Sequence, residues 1–314
     1  MRKAIALGTF LALLTFSPKA FAWWDGGHMQ IAYVAYKRLV APVRDKVDAL
    51  LRRNPDYAKW TSGAPNETTA RTWAFVHAAT WADDIKTKEY GYARDSASSP
   101  TGSQNIGYAD HNQHAYWHYK DLPFSPDGTP LHEPDPVDAV TQLKLMIAAL
   151  PQTSGASDDI RSYDLVWILH LVGDVHQPLH AVSRYTREIP NGDAGGNAES
   201  VIPATGETVS LHAYWDRMFG GYSSAYGAIF DASDRGGLAS VVPDAQAAQV
   251  TNPDAWVRES ARLAETFAYA PPVTLGANAV LLTRQYETDA RNTARNQAAL
   301  AAARLANVLN ATLK

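Results

Sequence analysis

His170-Leu171-Val172-Gly173-Asp174-Val175-His176-Gln177-Pro178-Leu179-His180 is the run that decides how this chain folds and what it holds. On a helix, His170 and Asp174 are four residues apart, so their side chains share a face and can chelate one ion. Pro178 ends that helix, because it lacks an N–H and clashes with the preceding turn, and His180 can turn back toward the same centre. Upstream, Asp158 or Asp159 caps a buried helix running through Val172. His212-Ala213-Tyr214-Trp215-Asp216 repeats the four-residue His/Asp spacing on a short helix expected over Val209 to Phe219. A single such pair is more often a hydrogen-bonded core histidine than a ligand. Two pairs and a flanking histidine in apolar contexts point to metal, because buried carboxylates need compensation that a cation supplies.

Outward from this run the chain reads as helices and loops. Helical spacing covers Gln30 to Leu51, interrupted near Ala41-Pro42, and Thr69 to Lys86, with Trp73, His77, Thr80 and Trp81 on one stripe. Pro136 to Leu150, Pro253 to Ala268 and Leu275 to Leu313 complete the set. Gly91 to Tyr116 and Glu188 to Thr208 are polar and read as loops, the first long enough to be functional. Glu199 to Pro203 suggests a small hairpin at most. The expected class is all-α, a single domain over residues 23–314, without repeats or a dividing linker.

The chain has 314 residues, 46% hydrophobic and 19% charged, so it can bury a large core and is not disordered. With 28 Lys+Arg against 32 Asp+Glu its formal charge is −4, which excludes a broad basic surface for nucleic acid. Cysteine is absent, which excludes disulfides, thiolate zinc sites and a cysteine nucleophile. Residues 1–22 read as a secretory signal peptide: Arg2 and Lys3, an uncharged run from Ala4 to Phe16, then Ala20-Phe21-Ala22 for cleavage. Cleavage removes three basic residues and no acid, so the mature chain begins at Trp23 with a charge of −7. A secreted or periplasmic protein without a membrane span is expected.

Imidazole and carboxylate without sulfur suit zinc, ahead of manganese or iron. Asp83 in Trp81-Ala82-Asp83-Asp84 and His118 in Trp117-His118-Tyr119 are further candidate ligands. His28 lies close to the new terminus, and the α-amino group of Trp23 is itself a candidate nitrogen ligand. His111 and His114 precede His118 at intervals that suggest either a second metal loop or groups near a substrate. His176 lies off the His170/Asp174 face by about 120° at ~100° per residue, which suits a supporting or core role. His77 and His132 carry no metal argument.

Trp23 with Gly27-His28, Trp81-Ala82-Asp83, Trp117-His118-Tyr119, His170-x3-Asp174-x5-His180 and His212-x3-Asp216 resemble, in order and approximate spacing, the S1/P1 nucleases. These are trinuclear-zinc, single-strand-specific nucleases with a mainly helical fold shared with zinc phospholipase C. The resemblance runs from Trp23 to about Phe219. Any one motif is weak; together, beginning at the expected cleavage site, they are specific. Trp24 stands where glycine is usual, and Lys86 where arginine is frequent. Lacking cysteine, the chain resembles a bacterial member.

The resemblance implies three Zn²⁺ per chain. Asp83, His118, His170 and Asp174 would hold one; Trp23, His28 and a bridging Asp174 a second; His180, His212 and Asp216 the third. Three ions would bring the formal charge to about −1, with positive charge concentrated in one cleft suited to a phosphodiester. Metal-assisted hydrolysis of single-stranded DNA and RNA follows, with 5′-phosphorylated products and removal of 3′-phosphates from nucleotides as a second activity. Asp121 would orient the attacking water, Lys86 would stabilise phosphate charge or pair with Asp121, and Tyr119 would stack on a base. Asp83 and Asp174 would serve as both ligands and catalytic groups. Tyr90, Tyr92, Tyr108 and Tyr116 lie in or beside the long loop as further contacts. A monomer is expected. The competing readings are a zinc phospholipase C and a metal-stabilised binding protein without catalysis.

Overall fold

The computed structural model describes residues 23–220, 222–276 and 278–314. The expected signal peptide, residues 1–22, lies outside the described residues. Helix α7 (Asp158–Asp174) forms the axis, buried continuously from Arg161 to Asp174. Its N-cap is Ser157, whose hydroxyl accepts from the Ile160 N–H, one residue before the expected cap. Asp158 and Asp159 instead occupy the first turn, where the helix dipole favours negative charge.

Around α7 pack α1 (Asp25–Arg38), α2 (Ala41–Leu51), α5 (Trp81–Asp84), α6 (Ala139–Ala149) and α11 (Arg284–Thr312). The break between α1 and α2 falls where Pro42 enters the first turn of α2, a position that needs no N–H. α6 begins at a capping box in which Asp138 and Thr141 satisfy each other's backbone donors. α11 buries a stripe of small residues, including Ala294, Ala298 and Ala301, which lets α1 approach closely. α1 also reaches α7 at Gly173, where a Cβ would lie 2.8 Å from the His28 ring. α3 (Tyr57–Thr61) and α10 (Pro253–Leu263), followed by a wider turn through Ala268, complete this layer.

The helix expected over Thr69 to Lys86 is two helices. α4 (Glu67–Ala78) stops at Ala79, and α5 starts two residues later. Thr80 marks the break, its hydroxyl bonding to the His77 carbonyl at 3.0 Å. The interruption frees the Ala79 carbonyl, which receives a hydrogen bond from His170 Nδ1 at 2.7 Å. An uninterrupted helix would have used that carbonyl itself.

Two small sheets fasten the loops. β1 (Leu122–Phe124) runs parallel to β2 (Val182–Arg184), with Leu122 opposite Val182. β3 (Ser200–Ile202) pairs antiparallel with β4 (Val209–Ser210), the hairpin that the sequence suggested, and parallel with β5 (Val280–Leu281). β5 takes up the beginning of the expected Leu275–Leu313 helix, which starts only at Arg284. α8 (Leu211–Asp216) is shorter than expected, because Val209 and Ser210 belong to β4. α9 (Ala225–Ser233), which has no clear signal in the sequence, lies across α1 and α4. The protein is a single, mainly helical domain. Among the described residues, no helix is long and apolar enough to cross a membrane.

Candidate metal centre

Asp174 ends α7 with both oxygens directed at imidazoles. Oδ1 lies 3.3 Å from His28 Nε2, while Oδ2 lies 3.0 Å from His118 Nδ1 and 3.2 Å from His170 Nε2. His170 Nε2 and His118 Nδ1 are 3.0 Å apart, and Asp83 Oδ1 sits 3.8 Å from each. The His28 and His170 rings stack at 3.9 Å. Two three-residue groups bring their ligand atoms within 4.8 Å of one another: His28, Asp83 and His170, and His118, His170 and Asp174. All five side chains are buried.

These two share His170 and together form one ligand group; the other consists of His180, His212 and Asp216. His180 Nδ1 donates to the His118 carbonyl at 2.8 Å and His212 Nδ1 to the Gly195 carbonyl at 2.7 Å. With Nδ1 protonated in each, both Nε2 atoms carry lone pairs, and they face each other at 3.1 Å. Asp216 Oδ2 lies 3.5 Å from His212 Nε2 and has no hydrogen-bond partner among the described residues. Gln177 donates to the other oxygen, Oδ1, at 2.7 Å. Gly195 has φ +64, and a Cβ there would come 2.2 Å from the Leu179 carbonyl oxygen, so only glycine carries the backbone through this point.

These residues fit metal ions. Converging lone pairs, buried carboxylate oxygens left without donors and backbone carbonyls that set the tautomers of His170, His180 and His212 are the arrangement a cation requires. The protonation tendencies agree. Burial lowers His212 to about 3, helped by His180, and lowers His118 to about 3, helped by Lys86. Both imidazoles are therefore neutral donors. Burial pushes the Asp216 carboxyl well above its usual range when no cation balances it. Burial also opposes charge on His170, but Asp174 and Asp83 outweigh it and raise the imidazole to about 9. The centre of this cluster thus strongly favours positive charge.

A cavity of about 430 Å³ opens over both groups, and its lining includes Lys86, His118, Tyr119, Asp121, His180 and His212. Lys86 Nζ reaches Asp83 Oδ1 at 2.5 Å. Burial, then Asp193 and Asp135, raises the Asp121 carboxyl to about 7. Tyr119 and Asp121 also border a second cavity of about 250 Å³, so they stand between the two. Arg94 and Asn197 border the main cavity as well. The sequence singled out neither, because both lie in loops without ligand spacing. Gln177 also escaped notice, although it sits inside the opening run between two expected ligands.

Trp23 is fully buried, with its indole N–H on the Gly173 carbonyl at 2.9 Å and its ring edge-on to Phe219 at 4.9 Å. Its neighbour Trp24 donates its backbone N–H to the Asp216 carbonyl at 3.1 Å. The chain at residue 23 therefore lies between α7 and α8, beside both ligand groups. The Trp24 ring turns toward Arg217, whose guanidinium carbon lies 4.7 Å from the ring centre.

The remaining histidines take other roles. His176 donates from Nδ1 to the Val172 carbonyl at 2.7 Å and meets Arg304 at Nε2, so it supports the core. His114 lies between Asp95 and Asp110, at 2.7 and 2.9 Å, and stacks on Trp117 at 3.7 Å. His111 is exposed beside Tyr92. Tyr90, Tyr108 and Tyr116 bond to Asp56, Ser162 and Asp95, while Tyr92 packs edge-on against Trp81, so these four tyrosines tie down the loop.

Comparison with known proteins points the same way. A family model described as S1/P1 Nuclease matches residues 23–314. Among curated proteins, Nuclease S1 of Aspergillus oryzae (strain ATCC 42149 / RIB 40) is 23% identical over 223 residues. That match covers 68% of this chain and 61% of the relative's length.

Proposed function

This chain belongs to the S1/P1 nuclease family, and from that premise we propose that it is an exported, three-zinc phosphodiesterase acting on single-stranded DNA and RNA. The observation that carries the reading is the pair of sulfur-free, buried ligand groups meeting beneath one cavity. Asp83, His118, His170 and Asp174 hold one ion. His28, Asp174 and the amino and carbonyl groups of Trp23 hold the second, once cleavage frees that terminus. His180, His212 and Asp216 hold the third. Bound zinc supplies Lewis acidity, lowering the pKa of water and neutralising charge that develops on a phosphate.

The chain's own side chains do the rest. Asp121 orients the attacking water and holds its proton; its raised carboxyl, near 7, suits a group that exchanges protons close to neutrality. Lys86 faces the phosphate oxygens from beside Asp83 and stabilises their charge. Tyr119 offers a ring to an unstacked base. A recessed cavity of about 430 Å³ favours single strands, because a phosphate reaches it only when its base leaves the stack. Products carry 5′-phosphates, and nucleotide 3′-phosphates are removed at the same centre. Mature protein starting at Trp23 is to be incubated with single- and double-stranded DNA and RNA, with and without chelator. Chelator-sensitive cleavage of single strands is expected; none would overturn the reading.

A further inference from the structure

The long loop over residues 91–116 forms one wall of the main cavity, where Arg94, Gln113 and Ala115 line the space above the ligand groups. This wall is fixed on both sides of Arg94. Ala93 donates its N–H to the His111 carbonyl at 2.7 Å, and its own carbonyl accepts from the Gln113 N–H at 2.9 Å. Asp95 accepts from the His114 backbone N–H at 2.8 Å and from the Tyr116 hydroxyl at 2.7 Å. His114, buried and stacked on Trp117, adds its ring nitrogen at 2.7 Å from the same carboxylate. The backbone of Arg94 is therefore held, while its side chain is exposed and makes no ion pair among the described residues. An arginine presented in this way, on the wall of a cavity that candidate cation ligands also line, has its whole guanidinium fork available to an anion.

We propose that Arg94 binds a second phosphate of the substrate, next to the one that is cleaved, and so selects polynucleotides over substrates with a single phosphate. The proposal rests on the single-strand phosphodiesterase reading above. It separates the tasks of the two cations at the cavity: Lys86 stands over the ligand group through Asp83, and Arg94 reads the continuing strand. The buried Asp95–His114 contact positions Arg94.

Zinc-loaded wild type, R94A and R94K are to be compared on a hexanucleotide and on a dinucleoside monophosphate, across a range of salt concentrations. For R94A, KM for the hexanucleotide is expected to rise about tenfold with kcat within about twofold. The dinucleoside monophosphate should be cleaved as by wild type. The slope of log kcat/KM against log salt should become shallower by roughly 0.7–1, the loss of one phosphate contact, and R94K should restore it. If wild type cleaves neither substrate, the functional reading falls and this proposal with it. If wild type is active but R94A loses equally on both substrates, or keeps the wild-type salt slope, the role of Arg94 alone is overturned.

Discussion

His180 and His212 point their Nε2 atoms at each other across 3.1 Å while each donates its Nδ1 proton to a backbone carbonyl. Two lone pairs at that distance repel unless a cation lies beside them. Where His170 and His118 meet over Asp174, the carboxylates of Asp174 and Asp83 instead hold positive charge on His170.

Metal removal should therefore cost stability as well as activity. Three zinc ions per chain are expected by elemental analysis, and a chelator should lower the melting temperature reversibly. Ligand at 1,000 times its Kd stabilises by about 4 kcal/mol per site, so a shift of several degrees or more is expected for a domain of this size. An unchanged melting temperature in chelator would contradict the fit of the ligand groups.

Gln177 is the single side-chain donor to Asp216 among the described residues, and its Oε1 accepts from the Leu179 N–H at 2.6 Å. Q177L should free Asp216 to rotate and loosen the turn that carries His180. Zinc affinity at that site should fall by about 10- to 100-fold, the usual effect of removing a group that orients a ligand. Stability should drop by about 1–3 kcal/mol from the unpaired buried groups. Titration of the metal-depleted protein checks both; unaltered stoichiometry and affinity would refute the role.

Asp164 gives a pH signature from a buried carboxyl outside the ligand groups. Buried in α7, it accepts from Asn105 at Oδ1, while Oδ2 has no partner among the described residues. Burial raises its carboxyl to about 7, above about 3.9 for an unfolded aspartate. The folded state then holds an extra proton between these values, so this group's contribution to stability declines as pH rises from about 4 to about 7. D164N should thus gain about 1–4 kcal/mol over wild type at pH 8 and little near pH 4, because each tenfold difference in proton affinity is worth about 1.4 kcal/mol. Urea unfolding of both proteins at each pH tests this, since zinc loss common to both cancels in the difference. A gain at low pH instead would reverse the assignment.

Processing should matter at Trp23. Protein beginning at Trp23 should bind one more zinc ion than protein retaining earlier residues, and should cleave single strands at least about tenfold faster, on the scale of a lost metal ligand. Equal zinc content and equal activity would exclude the terminal amine as a ligand.

Much of the centre was legible in the sequence because helical spacing is a local property. Four residues bring His170 over Asp174 and His212 over Asp216 whatever the rest of the chain does. Pro178 likewise ends its helix by its own covalent structure. The split between α4 and α5 was not legible, since Thr80 competes for the backbone only once His170 is there to take the Ala79 carbonyl. Nor was β5, whose two residues become a strand only against Val201. Trp24 stands where glycine is usual, and its ring finds room over Arg217, a neighbour that the sequence does not announce.

By itself, then, the sequence determined the class of fold and offered a sulfur-free set of candidate ligands, because these depend on residue type and spacing along single helices. Tertiary structure alone decided that Asp174 faces three imidazoles, that Gln177 steers Asp216 and that Arg94 borders the cavity. Those relationships join segments up to 146 residues apart, from His28 to Asp174, and only the packing of the core sets such distances.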